Sequence, residues 1–237
     1  MNLYNGTDCI KLVASRGFLS AGLRGDAPPT GAPATIEEMR AAVEEGHKMG
    51  KKVFAHANGH DAIMNAVMAG VDSIVHGWYM DEECLEMMVK KNVVLEPTTL
   101  CIRLVKDQGK GEMLDIMVER AAAYWERKQK EFEMIRKAGI TISMSSDAGV
   151  PYFYHGDNAR ELESMVDLGM SPMEAILTAT KIAATTIGLG DEIGTIEKGK
   201  GADVILVDGD PLRDISILQK REKIKTVLKD GDIVVSR

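Results

Sequence analysis

Aromatic residues are scarce, at 5% of 237, and there are only three cysteines. Cys9, Cys84 and Cys101 are odd in number, far apart and outside CxxC spacing. Neither a disulfide framework nor a thiolate zinc site is expected from them, and a reducing cytoplasm is the simplest setting. No stretch approaches the roughly 18 consecutive apolar residues that a membrane helix needs. The first eight residues carry neither the basic nor the apolar region of a secretory leader. Positive charge is also in deficit: 29 Lys and Arg face 36 Asp and Glu, for a net charge of -7. A diffuse negative surface repels phosphate backbones, so no nucleic-acid partner is expected. The densest basic stretch, Lys220-Arg221-Glu222-Lys223, is itself interrupted by an acid. Familiar nucleotide and nucleophile loops are missing too. Gly188-Leu-Gly190-Asp-Glu-Ile-Gly194 follows a helical stretch and has the wrong spacing for a dinucleotide loop, Gly199-Lys200-Gly201 lacks the upstream glycine of a P-loop, and no Gly-x-Ser-x-Gly elbow occurs.

What is present is an ordinary globular composition, 45% hydrophobic and 27% charged. Short apolar runs alternate with longer helical patterns. The runs are Asp8 to Ala14, Lys52 to His56, Asp72 to His76, Val93 to Glu96 and Ile140 to Ser146. Between them, Ile36 to Met49 places Met39, Val43 and His47 four apart, with Thr35 and Glu38 in capping-box spacing. Asp61 to Met68, Asp81 to Lys91 and Glu112 to Ala138 read as further helices, several ending at a glycine that restarts as a strand. This βαβα order predicts parallel strands with right-handed crossovers. Two more helices are expected at Asn158 to Leu168 and Ser171 to Ile187. From Gly188 the texture becomes short strands with Gly and Asp turns: Ala202 to Asp208, Ile224 to Lys229, and Asp232 to Ser236 after Asp230-Gly231. A boundary is placed near residue 190, giving an α/β catalytic domain over 1–190 and a β segment over 191–237. Five βα units are found where a closed (β/α)8 barrel needs eight. Either the sheet is open and doubly wound, or three units precede the first strand.

Four polar, metal-capable residues fall in or at the carboxyl ends of these strands: Lys11, His56, His76 and Asp147. Active sites of parallel α/β sheets lie at those ends, and two histidines with a carboxylate suit a borderline divalent cation such as zinc. Each has a plainer reading: a strand-end histidine can be a packing residue, and Asp147 a turn cap. Lys11 is flanked by Ile10 and Leu12, and a buried lysine is paired, depressed in pKa or modified. One such modification is addition of carbon dioxide to give an anionic carbamate.

The strand Asp8-Cys-Ile-Lys11-Leu-Val-Ala-Ser15, the turn Ala55-His56-Ala57-Asn58-Gly59, Asp72-Ser-Ile-Val-His76-Gly77 and Ser146-Asp147-Ala148-Gly149 occur in the order seen in the amidohydrolase superfamily. The tail Gly194 to Pro211 resembles that superfamily's C-terminal segment. The likeness is to the imidazolonepropionase-like and Xaa-Pro dipeptidase branch and covers essentially the whole chain. It implies a metal-dependent hydrolase with an incomplete TIM-type (β/α) barrel, strands 4–8, and the C-terminal part of a small β-sandwich. By that mapping Lys11 is the carboxylated lysine, which requires carbon dioxide. His56 and His76 are metal ligands, Asp147 is both metal ligand and catalytic acid/base, and the cofactor is one or two divalent ions, zinc first. The implied reaction is hydrolysis of an amide or peptide bond by metal-activated water, on a dipeptide or N-acyl amino acid. The alternatives are a cyclic-amide hydrolase of the imidazolonepropionase kind, or a catalytically inactive fragment, because the family's first-strand His-x-His pair is absent. A non-catalytic ligand-binding domain is a third reading. Asn58, Arg103 and His155 are weaker substrate-binding candidates, with Tyr152 and Tyr154 as pocket residues. The expected partner is a small amide or dipeptide, with no membrane, and a homo-oligomer for a full-length chain.

Overall fold

A computed structural model describes residues 6–17 and 33–237. They form two compact units, one from the described part of residues 1–98 with 102–142, the other from 99–101 with 143–237. The first unit runs β1 (Cys9–Val13), α1 (Ile36–Lys48), β2 (Lys52–Ala57), α2 (His60–Ala69), β3 (Ser73–His76), α3 (Glu82–Lys91), β4 (Val94–Glu96), α4 (Thr99–Gln108, its first three residues belonging to the second unit) and α5 (Asp115–Ala138). The strands lie side by side in the order β1-β2-β3-β4, all parallel. They make an unclosed arc of barrel.

The helices start and stop where local chemistry directs. Thr35 and Glu38 form a reciprocal capping box at the start of α1. α2, α3 and α5 end on left-handed residues, Gly70, Asn92 and Gly139. Gly46 on α1 lets that helix press on the sheet, since a Cβ there would come within 2.9 Å of Ile10 Cδ1 and 2.8 Å of Val53 Cγ2. Ile10 and Val53, partners across β1 and β2, therefore face the helix layer. By alternation Cys9, Lys11 and Val13 face the other way, with Phe54 and His56 beside them.

Three expectations change in this unit. Ile140 to Ser146 is not a strand: among the described residues it pairs on one side only, through a parallel bridge between Ile142 and Leu95. Residues 99–108, with no expected regular structure, form α4, whose start is fixed by a buried acid described below. Ile10 and Leu12 do not bury Lys11, because they sit on the opposite face and Lys11 is exposed.

The second unit contains α6 (Ala159–Asp167), α7 (Pro172–Ala179), α8 (Lys181–Thr186) and an antiparallel sheet of β5 (Val204–Val207), β6 (Ile224–Lys229) and β7 (Asp232–Ser236). Glu161, fully buried on α6, accepts hydrogen bonds from the backbone N–H of Thr99 (2.6 Å) and Leu100 (2.8 Å) and from the Thr99 hydroxyl (2.9 Å). A carboxylate on the open N–H groups of a helix start is a favourable pairing. Ser171, Pro172 and Glu174 open α7 as a capping box with proline in the first turn. The single helix expected from Ser171 to Ile187 breaks at Thr180, where φ is -121° and ψ -92°. There the hydroxyls of Thr178 and Thr180 bond back to the carbonyls of Ala175 (2.6 Å) and Ile176 (2.8 Å), which competes with helix continuation. Asp230-Gly231, both left-handed, joins β6 to β7 in the expected tight turn.

Candidate functional site

The carboxyl ends of β1, β2 and β3 bring three of the expected residues onto one face. Lys11 pairs with Phe54 and Val13 with His56, so Lys11 and His56 project from the same side of adjacent strands. His76 pairs with Ala57, and strict alternation would send it toward the helices with Ile74. Instead its ring lies edge-on to His56, with centroids 4.5 Å apart. The backbone at His76 is left-handed, φ 73°, and this turn of the strand end accompanies the reorientation. Left-handed backbone at non-glycine residues is costly and clusters at functional sites. Gly77 and Tyr79 are also left-handed, at 62° each.

Each histidine is held. His76 Nδ1 is 2.7 Å from the Thr98 hydroxyl, so Nε2 is the ring nitrogen this contact does not use. Burial, and then the neighbouring charges of His56, Lys11 and Lys128, push His76 well below the usual histidine range, so it is neutral near pH 7. His56 Nε2 lies 3.3 Å from the Asn58 amide and 3.4 Å from the Arg16 carbonyl. Asn58 is fully buried; its backbone N–H donates to Ser15 Oγ (3.0 Å) and its Oδ1 accepts from the Trp78 N–H (3.1 Å). It thus ties the ends of β1, β2 and β3 together, and its geometry is that of a residue that orients His56. The two imidazoles fit a borderline divalent ion, His76 being neutral with its Nδ1 fixed and His56 lying against it; Lys11, exposed on the same face, would add a ligand only as a carbamate.

The other candidates fall on different elements. Arg103, on α4, has its guanidinium 3.7 Å from Asp107 one turn later. Asp147 is in the second unit, exposed and left-handed at φ 55°. In that same loop His155 is exposed, with Nε2 3.5 Å from where a Cβ on Gly149 would stand, so Asp147 and His155 share one loop cluster.

A second group went unread. His60, at the start of α2, donates from Nδ1 to Asp81 Oδ2 at 2.7 Å, and Cys84 Sγ lies 3.8 Å from the same nitrogen. The Asp81 hydrogen bond raises the pKa of His60, and burial pushes the Cys84 thiol up to about 12. Sequence spacing hides the trio because Asp81 stands 21 residues from His60; only the parallel pairing of β2 with β3 brings their following loops together.

The sequence pattern of the amidohydrolase family matches residues 7–234. The chain belongs to that family. This amidohydrolase chain is 31% identical to ochratoxinase from Aspergillus niger over 236 residues, covering 98% of the chain and 47% of the fungal protein. It is 25% identical to imidazolonepropionase from Caldanaerobacter subterraneus subsp. tengcongensis over 206 residues, or 84% of the chain and 45% of that protein. A solved structure of a Xaa-Pro dipeptidase with methionine bound in the active site matches with a TM-score of 0.86 at 33% identity, covering 98% of the chain and 56% of that structure. The amidohydrolase chain spans about half the length of these relatives, and its fold is the corresponding part of their barrel.

Proposed function

We propose that this amidohydrolase chain carries part of a metal centre for hydrolysis of an amide bond in a dipeptide or N-acyl amino acid. The observation that carries this reading is the His56–His76 contact at 4.5 Å with Lys11 on the same face. His56, His76 and Lys11 would hold the ion, zinc by the character of the donors. When bound, such an ion supplies a water of lowered pKa and polarises a carbonyl.

The chain's own residues then have defined tasks. Thr98 fixes the His76 ring through Nδ1, which would leave Nε2 as the nitrogen for the ion. Asn58 restrains His56 through its amide. By family resemblance the Lys11 amine would add carbon dioxide and lose a proton, which would make it a two-oxygen anionic donor. Asp147 is assigned proton transfer by family resemblance, from water to the leaving nitrogen; its exposure leaves the carboxylate accessible. Arg103 is proposed to meet a substrate carboxylate, and His155, in the same loop as Asp147, to contact the substrate. A second reading, hydrolysis of a cyclic amide, is favoured by the match to imidazolonepropionase.

The test is a hydrolysis panel of dipeptides, N-acyl amino acids and a cyclic amide, run with zinc and bicarbonate on the wild-type chain and on His76→Ala. Cleavage of linear amides that disappears in His76→Ala supports the reading. Cleavage of the cyclic amide alone replaces it with the second reading, and activity indifferent to His76 removes the proposed centre.

A further inference from the structure

The structure points to a second metal site in this chain, built from His60, Asp81 and Cys84 where α2 and α3 begin, and we propose that it takes a borderline divalent ion of the zinc kind. Among the described residues these are the one group of three His, Cys or carboxylate donors whose ligand atoms all lie within 4.8 Å of one another. They offer nitrogen, oxygen and sulfur, a donor mixture that suits zinc and disfavours magnesium or calcium.

Two of the three donor–donor distances lie close to the edges of a tetrahedral site, and the third is within 4.8 Å. Ordinary zinc bond lengths set ligand–ligand edges of about 3.3–3.6 Å. The His60 Nδ1 to Cys84 Sγ distance of 3.8 Å is already close to that, and the 2.7 Å His60–Asp81 contact is a hydrogen bond that opens by less than an ångström when an ion replaces the shared proton. Two of the donors are fixed by backbone. Asp81 is the N-cap of α3, and its Oδ1 accepts from the Cys84 N–H at 3.0 Å, which leaves Oδ2 aimed at His60. Cys84 is fully buried on the first turn of α3, while His60 and Asp81 keep side-chain exposures of 39% and 50%, so an ion can enter from solvent. Glu83 Oε2 stands 4.0 Å from His60 Nε2, and Asp61, Asp81 and Glu83 together place negative charge around the imidazole. That charge offsets the positive helix start, which would otherwise repel a cation.

The site has a structural consequence. The Gly59 N–H already donates to the Trp78 carbonyl at 2.7 Å, joining the β2–α2 loop to the β3–α3 loop. An ion on His60, Asp81 and Cys84 clips the same two loops a second time, just beyond the strand ends that carry His56 and His76. This inference stands on different residues from the proposed amide-cleaving centre and does not depend on it.

Cobalt(II) is the probe, because the centre formed by Lys11, His56 and His76 contains no sulfur and only a thiolate gives an intense near-ultraviolet charge-transfer band. Titrating the whole chain with cobalt is expected to produce that band. Cys9→Ser and His76→Ala should keep it, Cys84→Ser should abolish it, and added zinc should bleach it. Because Cys84 is buried, His60→Gln serves as the second variant, with circular dichroism as the check on folding. Loss of even an outer-shell partner lowers metal affinity about 10–100-fold, so loss of this ligand should weaken cobalt binding at least about tenfold. Absence of the band in the wild-type chain, or a band unchanged in both Cys84→Ser and folded His60→Gln, overturns the proposal.

Discussion

The strand β3 and the strand β7 read alike in the sequence, as short apolar runs, yet the chain treats them in opposite ways. Every residue of β3 is buried. In β7, four of five are exposed, Ile233 at 66% and Val234 at 58% among them. β3 has hydrogen-bonded neighbours on both sides and helices against one face, whereas β7 is an edge strand of a three-stranded sheet. The lesson is that apolar content marks a strand, but its neighbours decide how much stability each side chain contributes. The first unit also takes charges into its interior, as in Lys128 and Glu131, while the β5–β7 sheet keeps its ion pairs, such as Lys229–Asp203, outside.

Four substitutions sharpen that contrast. The largest loss is expected for Glu131→Ala. Glu131 accepts from Tyr124 Oη (2.9 Å), the Tyr79 N–H (3.2 Å) and Lys128 Nζ (3.4 Å), all buried. Removing one partner of a buried pair strands the other, at about 3–5 kcal/mol. Ile74→Ala, at 0% exposure in β3, should cost about 2–5 kcal/mol. Both can be read by urea titration of tryptophan fluorescence, since Trp78 and Trp125 lie in the first unit. A loss below about 1 kcal/mol for either would break the comparison on the buried side.

Asp72→Asn is next. Immediately before β3 this carboxylate accepts from Lys52 Nζ, the Val53 N–H and His47 Nε2, each at 2.8 Å. Its removal should cost about 1–3 kcal/mol. Burial opposes the charged form of Asp72, but the Lys52, His47 and Val53 hydrogen bonds outweigh it and hold the group below the usual carboxylate range. A depressed native pKa gives stability that is present above the unfolded carboxylate range and is lost as pH falls through the native value. The wild-type chain should therefore lose its advantage over Asp72→Asn on acidification below about pH 4; a constant difference down to pH 2 would contradict the account. The smallest effect is Ile233→Thr on β7, within about 0.5 kcal/mol. A loss of 2 kcal/mol or more there would show that the exposed face is covered in solution.

Much of this contrast is legible in the sequence, because local rules govern it. The Thr35–Glu38 and Ser171–Glu174 caps, the glycine stops and the Asp230-Gly231 turn all act within a few residues, and they appear where their chemistry places them. What escapes is whatever depends on residues distant in the chain. α4 owes its start to Glu161, which lies 62 residues from Thr99. Ile140 to Ser146 has strand composition but a pairing partner on one side only. Lys11 looks buried between its apolar neighbours until the pleat sends them to the other face. In the candidate site, His56 and His76 are visible as strand-end histidines, whereas the fixing roles of Thr98 and Asn58 and the His60–Asp81–Cys84 group emerge only from the register of adjacent strands.

The central claim is that His56 and His76 bind a divalent ion together. The most direct measurement is metal content per chain by plasma mass spectrometry, on protein purified with zinc and bicarbonate and then dialysed, comparing wild type with His56→Ala and His76→Ala. The account predicts that each variant holds about one ion per chain fewer than wild type, the shared loss expected when two ligands serve one site. Equal metal content in all three proteins, with the variants folded, would contradict it.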